Sequence, residues 1–269
     1  MSRKIEKLEG LVVVTGGSSG IGLELAKLAA ADGCQLILAA DTSLERAAQE
    51  VREAGATGVE TLEVDLATRE GAEKLIALVE GREVAALFAN AGHGGGGAFL
   101  DQDWDEARHI VETNVTATLW LIQRIGREMR RRDRGHILVT GSLAGELPGA
   151  FQLVYNSSKA FLNDFCAGLR NELKDSGVVV SCLMPGATET EFFERAHMED
   201  TKVGQQDKAD PAKVAWDGYS ALLRDDDSVV SGFMNKVQAL FADILPDPIV
   251  AQMHRRMAEP SRAEPAHPA

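Results

Sequence analysis

The sequence predicts an α/β protein with a doubly wound sheet of about seven parallel strands and helices on both faces. Short apolar runs alternate with longer stretches of helical periodicity along most of the chain, which is the pattern of repeated strand–helix–strand units. The first apolar run leads through a glycine-rich turn, Thr15 to Gly22, directly into a helical stretch. This strand–turn–helix order is the opening half of such a unit.

Each element follows from its length and composition. Short runs rich in valine, isoleucine and leucine are predicted as strands. They cover 11–15, 35–40, 59–64, 84–89, 136–141, 178–183 and 228–232. Stretches whose apolar residues recur at helical spacing are predicted as helices. They cover 20–32, 43–54, 68–80, 103–131, 154–176 and 211–223. Glycines stand where five helices should end: Gly33, Gly55, Gly81, Gly135 and Gly177.

We expect one domain over residues 1–258, because no repeat or linker-like stretch interrupts the alternation. The segment at about 191–210 follows the sixth strand, has weak periodicity, and is predicted as a mobile substrate lid. The stretch 233–257 is apolar and helical in pattern, and it covers either its own pocket or a neighbouring subunit. The final residues, 259–269, have the composition of a disordered tail.

Composition restricts the partners of the protein. The chain has 269 residues, 45% of them hydrophobic, and a net charge of −13. This excess of negative charge disfavours nucleic acid as a partner. The three cysteines are far apart, in apolar segments and without metal-binding spacing, so we interpret them as buried hydrophobic side chains and predict no metal site. The charged start and the absence of a long apolar run predict a soluble, cytoplasmic protein without a membrane contact.

Tyr155 and Lys159 have the spacing that says most about chemistry. Four residues apart on a predicted helix, they lie on one face, about one turn from each other. An ammonium beside a phenol stabilises the phenolate, so we expect the pKa of Tyr155 to fall from its usual value of about 10. Such a phenol can exchange protons near neutral pH. Ser142, at the end of the fifth strand, offers a hydroxyl that can donate to a carbonyl oxygen.

The glycine-rich turn is suited to binding a phosphate group. Its glycines are spaced Gly-x-x-x-Gly-x-Gly from Gly16 to Gly22. Glycines let the backbone approach a pyrophosphate, and the first N–H groups of the following helix carry partial positive charge. Taken alone, the same turn could also be purely structural.

Polar or turn residues follow most of the predicted strands. In a doubly wound sheet the ligand lies beyond the carboxyl ends of the strands. One edge of the sheet therefore collects the candidate residues: Thr15, Asp41, Asp65, Asn90, Ser142 and Pro185.

Together these segments resemble the short-chain dehydrogenase/reductase family, in its compact single-domain branch. They occur in the family's order and spacing: Thr15 to Gly22, Asp65, Asn90-Ala91-Gly92, Asn114, Ser142, Tyr155 with Lys159, and Pro185-Gly186 followed by Thr190. The resemblance implies a Rossmann-like fold and an NAD(P)-dependent oxidoreductase. That enzyme would move hydride between nicotinamide and a ketone or secondary alcohol, and it would form a homodimer or homotetramer.

The resemblance also implies a role for each residue. Tyr155 is the general acid/base, Lys159 and Ser142 assist it, and Asn114 holds a water near Lys159. The cofactor would be held by Thr15, Gly16, Ser18, Ser19, Gly20, Ile21, Gly22, Asp41, Asp65, Leu66, Asn90, Ala91, Gly92, Tyr155, Lys159, Pro185, Gly186, Thr188 and Thr190.

Asp41 bears on the choice between NAD and NADP. An acidic side chain after the second strand can accept hydrogen bonds from the adenosine ribose and repel a 2′-phosphate. No arginine or lysine stands beside it in the sequence, so we favour NAD. The alternative is that Asp41 only opens a turn and caps the next helix, and a helix cap is also the structural alternative for Asp65.

The substrate is predicted to contact His93, Phe151, Leu153 and Phe192. These mostly apolar residues favour a lipophilic ketone or alcohol. His93 precedes four consecutive glycines, Gly94 to Gly97. That loop is either a flap over the substrate or a loose surface connection.

Two other functions remain open on the sequence. A related epimerase or enoyl reductase would share the cofactor domain. The resemblance speaks against both, because family epimerases usually carry a longer substrate region and enoyl reductases space the tyrosine and lysine more widely. A non-catalytic, dinucleotide-responsive binding protein would be expected to lack Tyr155, Lys159 or Ser142, and all three are present.

Overall fold

A computed structural model of the chain describes residues 4–196, 198–205, 207–232 and 246–259. Its strands are β1 (Leu11–Thr15), β2 (Gln35–Ala40), β3 (Gly58–Glu63), β4 (Val84–Ala89), β5 (Gly135–Thr140), β6 (Val178–Met184) and β7 (Ser228–Val230). They form one seven-stranded sheet in the order β3-β2-β1-β4-β5-β6-β7. All neighbouring strands are parallel. The predicted doubly wound, Rossmann-like sheet is therefore confirmed.

Helices cover both faces of this sheet. The α-helices of the described residues are α1 (Gly20–Ala31), α2 (Glu45–Glu53), α3 (Arg69–Val79), α4 (Trp104–Val111), α5 (Thr118–Arg131), α6 (Leu153–Glu172), α7 (Phe192–Arg195), α8 (Lys202–Gln205), α9 (Pro211–Leu223) and α10 (Asp247–Ala258). The helix predicted over 103–131 is not continuous, because a π-helical turn, Glu112–Ala117, separates α4 from α5. The short helices α7 and α8 lie in the segment predicted as a lid.

Alternating residues of each central strand enter opposite apolar cores. In β1, Val12 and Val14 pack in a cluster with α1 and α9, whereas Val13 packs in a second cluster with α3, α5 and α6. A strand buried on both faces has no polar side to show. This is why the strands are continuous apolar runs in the sequence.

The strand order reverses at β1, which lies between β2 and β4. At such a switch point the connections leave toward opposite faces and open a crevice beyond the carboxyl ends of the strands. The topology therefore places a binding site at the ends of β1 and β4.

Some predictions fall partly outside the described residues. Of the tail predicted over 259–269, only Glu259 is described. Of the stretch 233–257, only residues 246–257 are described, and most of them belong to α10. Among the described helices, none is both long and apolar enough to cross a bilayer. The single-domain extent and the cytoplasmic location stay predictions. The three cysteines are buried and free, as expected.

Candidate active site

A cavity of about 350 Å³ lies at the carboxyl edge of the sheet. It extends from the glycine-rich turn after β1, past the ends of β4 and β5, to α10. Most of the predicted cofactor residues line it: Gly16, Ser18, Ser19, Gly20, Ile21, Asp41, Asp65, Leu66, Asn90, Ala91, Gly92, Tyr155, Lys159, Pro185, Gly186, Thr188 and Thr190. The structure thus brings together residues that are far apart in the chain.

Thr15 and Gly22 do not line the cavity but shape the turn that does. The Thr15 hydroxyl accepts hydrogen bonds from the N–H groups of Asn90 and Ala91, both at 3.0 Å. A Cβ added at Gly22 would overlap the Gly16 carbonyl oxygen and lie 2.5 Å from Asn90 Nδ2. Only glycine lets the start of α1 approach the turn this closely.

Asn90 connects the ends of three strands. Its Nδ2 donates to the carbonyl oxygens of Thr15 (3.2 Å) and Gly16 (3.3 Å). Its Oδ1 accepts from the Thr140 hydroxyl at 2.9 Å. These bonds hold β1, β4 and β5 in register at the edge where the cavity opens.

The amino end of α1 is open to an anion. Its N-cap residue, Ser19, makes no side-chain capping bond, and its hydroxyl donates instead to Glu191 Oε2 at 3.3 Å. The first N–H groups of a helix need an external acceptor when no side chain caps them. A pyrophosphate at this turn would supply such acceptors. The residues present therefore fit a dinucleotide.

Neither acidic candidate caps a helix. The N-cap of α2 is Leu44 rather than Asp41, and that of α3 is Thr68 rather than Asp65. Asp65 Oδ1 accepts from the N–H of Ala67 at 2.8 Å, which closes a local turn. Both carboxylates lie on the cavity.

Tyr155 lies in α6 and its side chain is half-buried in the cavity wall. The Ser142 side chain, at the end of β5, lines the same cavity. The Phe192 ring of the lid covers Tyr155, with ring centroids 5.0 Å apart. Desolvation raises the pKa of Tyr155, and the nearby Ser142 hydroxyl opposes this shift. This direction is opposite to the one expected from the sequence.

Lys159 explains the difference. Its ammonium donates to the Thr140 carbonyl at 2.7 Å and lies 5.9 Å from the centroid of the Tyr155 ring. Burial lowers the pKa of Lys159 to about 8, since the charged form loses hydration. Lys159 is therefore more easily deprotonated than the spacing suggested. Its ammonium is hydrogen-bonded to a backbone carbonyl, that of Thr140.

Replacing Lys159 by methionine should change how stability depends on pH. Because burial lowers the Lys159 pKa from 10.5 to about 8, the unfolded chain binds more protons than the folded chain between these values. Wild-type stability from this group therefore rises with pH across that window. We expect Lys159→Met to have a higher free energy of unfolding than wild type at pH 8, and this difference to shrink as the pH rises from 8 to 10.5. Urea unfolding at several pH values measures it. A constant difference would contradict a desolvated Lys159.

Asn114 lies in the π-helical turn and is fully buried. Its Oδ1 accepts from the His93 N–H at 2.7 Å, and its Nδ2 donates to the His93 carbonyl at 3.0 Å and to Ser158 Oγ at 2.9 Å. A methyl group at Gly92 would lie 3.3 Å from Lys159 Nζ and 3.5 Å from Asn114 Oδ1. Asn114 is therefore behind the cavity wall, next to the lysine, and π turns frequently occur at such sites.

The four-glycine loop packs against the lid. A Cβ at Gly94 would lie 2.7 Å from Phe192 Cε2, and one at Gly96 would lie 2.9 Å from Met198 Cγ. The missing side chains make room for these two lid residues. Of the two interpretations left open by the sequence, the contacts favour a flap next to the lid.

The predicted substrate residues divide into two groups. His93 and Phe192 line the cavity, whereas Phe151 and Leu153 do not. Phe151 takes a left-handed conformation in the turn before α6, with the Arg255 guanidinium 5.3 Å from its ring. Leu153, the first residue of α6, is exposed.

Sequence reasoning missed part of the cavity wall. The missed residues include Leu143, Leu147, His109, Thr113, Val250, Met253, His254 and Met257. The spacing of Val250, Met253 and Met257 indicates an apolar helix face, but nothing local says what that face covers. The structure shows that α10 covers the cavity of its own chain.

His254 fixes α10 against the turn that precedes α6. Its Nδ1 is 2.9 Å from the Ala150 carbonyl oxygen, and its Nε2 is 3.3 Å from Asn156 Nδ2. Burial lowers the pKa of His254. A neutral ring with N–H at Nδ1 satisfies both contacts.

The fold and the site define a dinucleotide-binding α/β protein with a serine, a tyrosine and a lysine at one ligand cavity. The profile of the short chain dehydrogenase family matches residues 10–200. An uncharacterized oxidoreductase of Myxococcus xanthus (strain DK1622) is 31% identical over 254 residues, which are 91% of this chain and 96% of that protein. The chain belongs to the short-chain dehydrogenase/reductase family, and it is an oxidoreductase that uses a nicotinamide dinucleotide.

Further relatives carry more specific names. The very-long-chain 3-oxoacyl-CoA reductase of Pyricularia oryzae is 35% identical over 67% of this chain, but the match spans only 57% of that protein. A short-chain dehydrogenase from Sphingobium yanoikuyae in complex with NADPH is 26% identical, with a TM-score of 0.79 over 87% of this chain and 93% of that chain. A family member from Burkholderia phymatum in complex with NAD has the same TM-score at 22% identity over 89% and 95% of the two chains, which shows the fold alone.

Proposed function

We propose that the protein is a carbonyl reductase or secondary-alcohol dehydrogenase that depends on NAD or NADP. The observation that supports this function best is that Tyr155, Ser142 and Lys159 line the same cavity as the glycine-rich turn. A bound nicotinamide would supply or accept the hydride at the substrate carbon. The protein's own groups then have to move the proton on the substrate oxygen.

In the proposed mechanism, Tyr155 gives a proton to the substrate oxygen or takes it away. Ser142 donates to the same oxygen as charge develops there. Lys159, next to Tyr155 and partly deprotonated near pH 8, restores the proton of the phenol. Asn114 Oδ1 accepts one hydrogen bond, from the His93 N–H. Its second lone pair would hold a water on the route from Lys159 to solvent.

We infer a lipophilic substrate. Seven of the larger apolar residues that line the cavity are Leu143, Leu147, Phe192, Phe193, Val250, Met253 and Met257. Among the described lining residues, Lys159 and Arg195 are the only lysine and arginine, and each has a partner in the protein. By its name, the very-long-chain 3-oxoacyl-CoA reductase of Pyricularia oryzae reduces an oxo group on a long acyl chain, which agrees with a ketone that carries an apolar chain.

A panel of ketones and secondary alcohols, tested with both reduced and oxidised nucleotides, tests this function directly. We expect reduced nicotinamide, followed by its absorbance, to be consumed with bulky apolar ketones and formed with the matching alcohols. Sugar phosphates and other anionic substrates should react poorly. Nucleotide binding without turnover of any carbonyl or alcohol would favour the non-catalytic alternative.

Ser142→Ala should lower turnover without disturbing the nucleotide. The loss of one donor to the developing oxyanion typically costs on the order of 10²-fold in kcat. The affinity for the nucleotide, followed by its fluorescence, should stay the same. Ser228→Ala, at the exposed start of β7, is the matched control and should change neither quantity.

We also propose that the protein is a homodimer or homotetramer. On α6, Phe161 is exposed and stacks on Phe165 with ring centroids 6.1 Å apart. Exposed aromatic side chains on a long helix are suited to a two-fold interface. Light scattering of the purified protein measures the state directly.

A further inference from the structure

Arg195, on the lid helix α7, reaches across the cavity to the end of β2. Its Nη1 donates to Asp41 Oδ1 at 3.3 Å, and its Nη2 contacts Asp41 Oδ2. The guanidinium thus engages both carboxylate oxygens, although the two residues are 154 positions apart. Both side chains line the cavity that would hold the nucleotide.

This ion pair reduces the negative charge that a nucleotide would meet at Asp41. A lone carboxylate at the end of β2 repels the 2′-phosphate of NADP, because like charges close together cost free energy. The sequence shows no base beside Asp41, but the fold supplies one. Among the described residues lining the cavity, the only other lysine or arginine is Lys159, which is held at the Thr140 carbonyl.

Arg195 is also free to change partners. The side chains of Arg195 and Asp41 are 40% and 37% exposed, and an ion pair at that exposure is weak because water competes for both charges. A phosphate, like a carboxylate, can accept two parallel N–H hydrogen bonds from one guanidinium. Thr42 and Ser18, bonded to each other at 2.9 Å, add neutral hydroxyls beside Asp41.

We propose that Arg195 is a nucleotide-specificity residue that lets the site accept NADP as well as NAD. With NAD, the guanidinium neutralises Asp41 while the carboxylate accepts from the ribose. With NADP, it turns to the 2′-phosphate. This inference rests on the dinucleotide site of the proposed function, and it assigns part of that site to the lid.

A second lid residue gives a contrast. Glu191 accepts a hydrogen bond from Ser19 Oγ at 3.3 Å, at the turn proposed to hold the pyrophosphate. NAD and NADP have the same pyrophosphate, so this negative charge disfavours both equally. Glu191→Gln should therefore strengthen the binding of both nucleotides by the same factor.

The test measures the dissociation constants of NADH and NADPH by the fluorescence of the bound reduced ring, without substrate. We expect the unsubstituted protein to bind both. Arg195→Leu should raise the dissociation constant of NADPH about tenfold, equivalent to ~1.4 kcal/mol, and leave that of NADH almost unchanged. Arg195→Lys should retain part of the NADPH affinity, and Asp41→Asn should shift the preference toward NADPH. Arg224→Leu removes an exposed arginine paired with Asp226 outside the cavity and should change nothing.

The ratio of the two dissociation constants decides the outcome. An unchanged ratio in a folded Arg195→Leu, or equal weakening of both nucleotides, would overturn the role of Arg195 while leaving the proposed function intact. If the unsubstituted protein bound neither nucleotide, the proposed function would be wrong and this inference would fail with it. Thermal unfolding of each variant shows whether it is folded.

Discussion

Replacing Tyr155 by phenylalanine should abolish turnover while nucleotide binding stays nearly intact. The substitution removes one oxygen from a side chain that lines the cavity and is covered by Phe192. Loss of a general acid/base typically costs 10²–10⁴-fold, so we expect kcat to fall by about 10³-fold or more. Steady-state assays with the best substrate of the panel and nucleotide fluorescence measure the two properties separately.

The other tyrosine of the chain provides the matched control. Tyr219 donates from its hydroxyl to Asp32 Oδ2 at 2.5 Å, away from the cavity. Tyr219→Phe should lower the free energy of unfolding by about 1.5–3 kcal/mol, since a bond to a charged acceptor is lost. Turnover per folded molecule should not change. Full activity in Tyr155→Phe, or an equal loss in both variants, would rule out Tyr155 as the acid/base.

Gly22→Ala should remove nucleotide binding. The added methyl group would overlap the Gly16 carbonyl oxygen and lie 2.5 Å from Asn90 Nδ2. Either the turn or the start of α1 must then move, and the N–H groups that face the cavity move with it. We expect the dissociation constant to rise about 100-fold, or ~2.7 kcal/mol, and overpacking to cost about 1–3 kcal/mol of stability.

Gly168→Ala separates this effect from a general response to alanine. Gly168 lies inside α6, and no atom lies within 4 Å of a Cβ added there. The substitution should stabilise the helix by about 0.5–1 kcal/mol, because glycine loses more backbone entropy on folding. Isothermal titration with NADH and NADPH compares the two variants. Unchanged affinity in Gly22→Ala would show that the turn does not hold the nucleotide.

The sequence was sufficient for the sheet. Buried parallel strands are continuous apolar runs, and helices repeat at a different period, so strand bounds such as those of β1 and β2 match the predicted ones. Residues that follow parallel strands must meet at one edge. Asp41, Asn90 and Ser142 therefore line one cavity, as their positions after strands predict.

The sequence was not sufficient for interactions between distant segments. Three interactions join parts of the chain that share no local pattern. They are the lining of the cavity by α10, the packing of Gly94 against Phe192, and the ion pair between Asp41 and Arg195. The direction of the Tyr155 pKa was likewise wrong, since desolvation there exceeds the opposing effect of Ser142.

Local periodicity and strand-end placement were thus fixed by the sequence itself, because backbone geometry repeats over a few residues and responds to which side chains are apolar. The partner of Asp41, the cover of the cavity and the protonation of Tyr155 and Lys159 were decided only by the tertiary structure. Charge and burial depend on every group within reach in space, and most of those groups are far away along the chain.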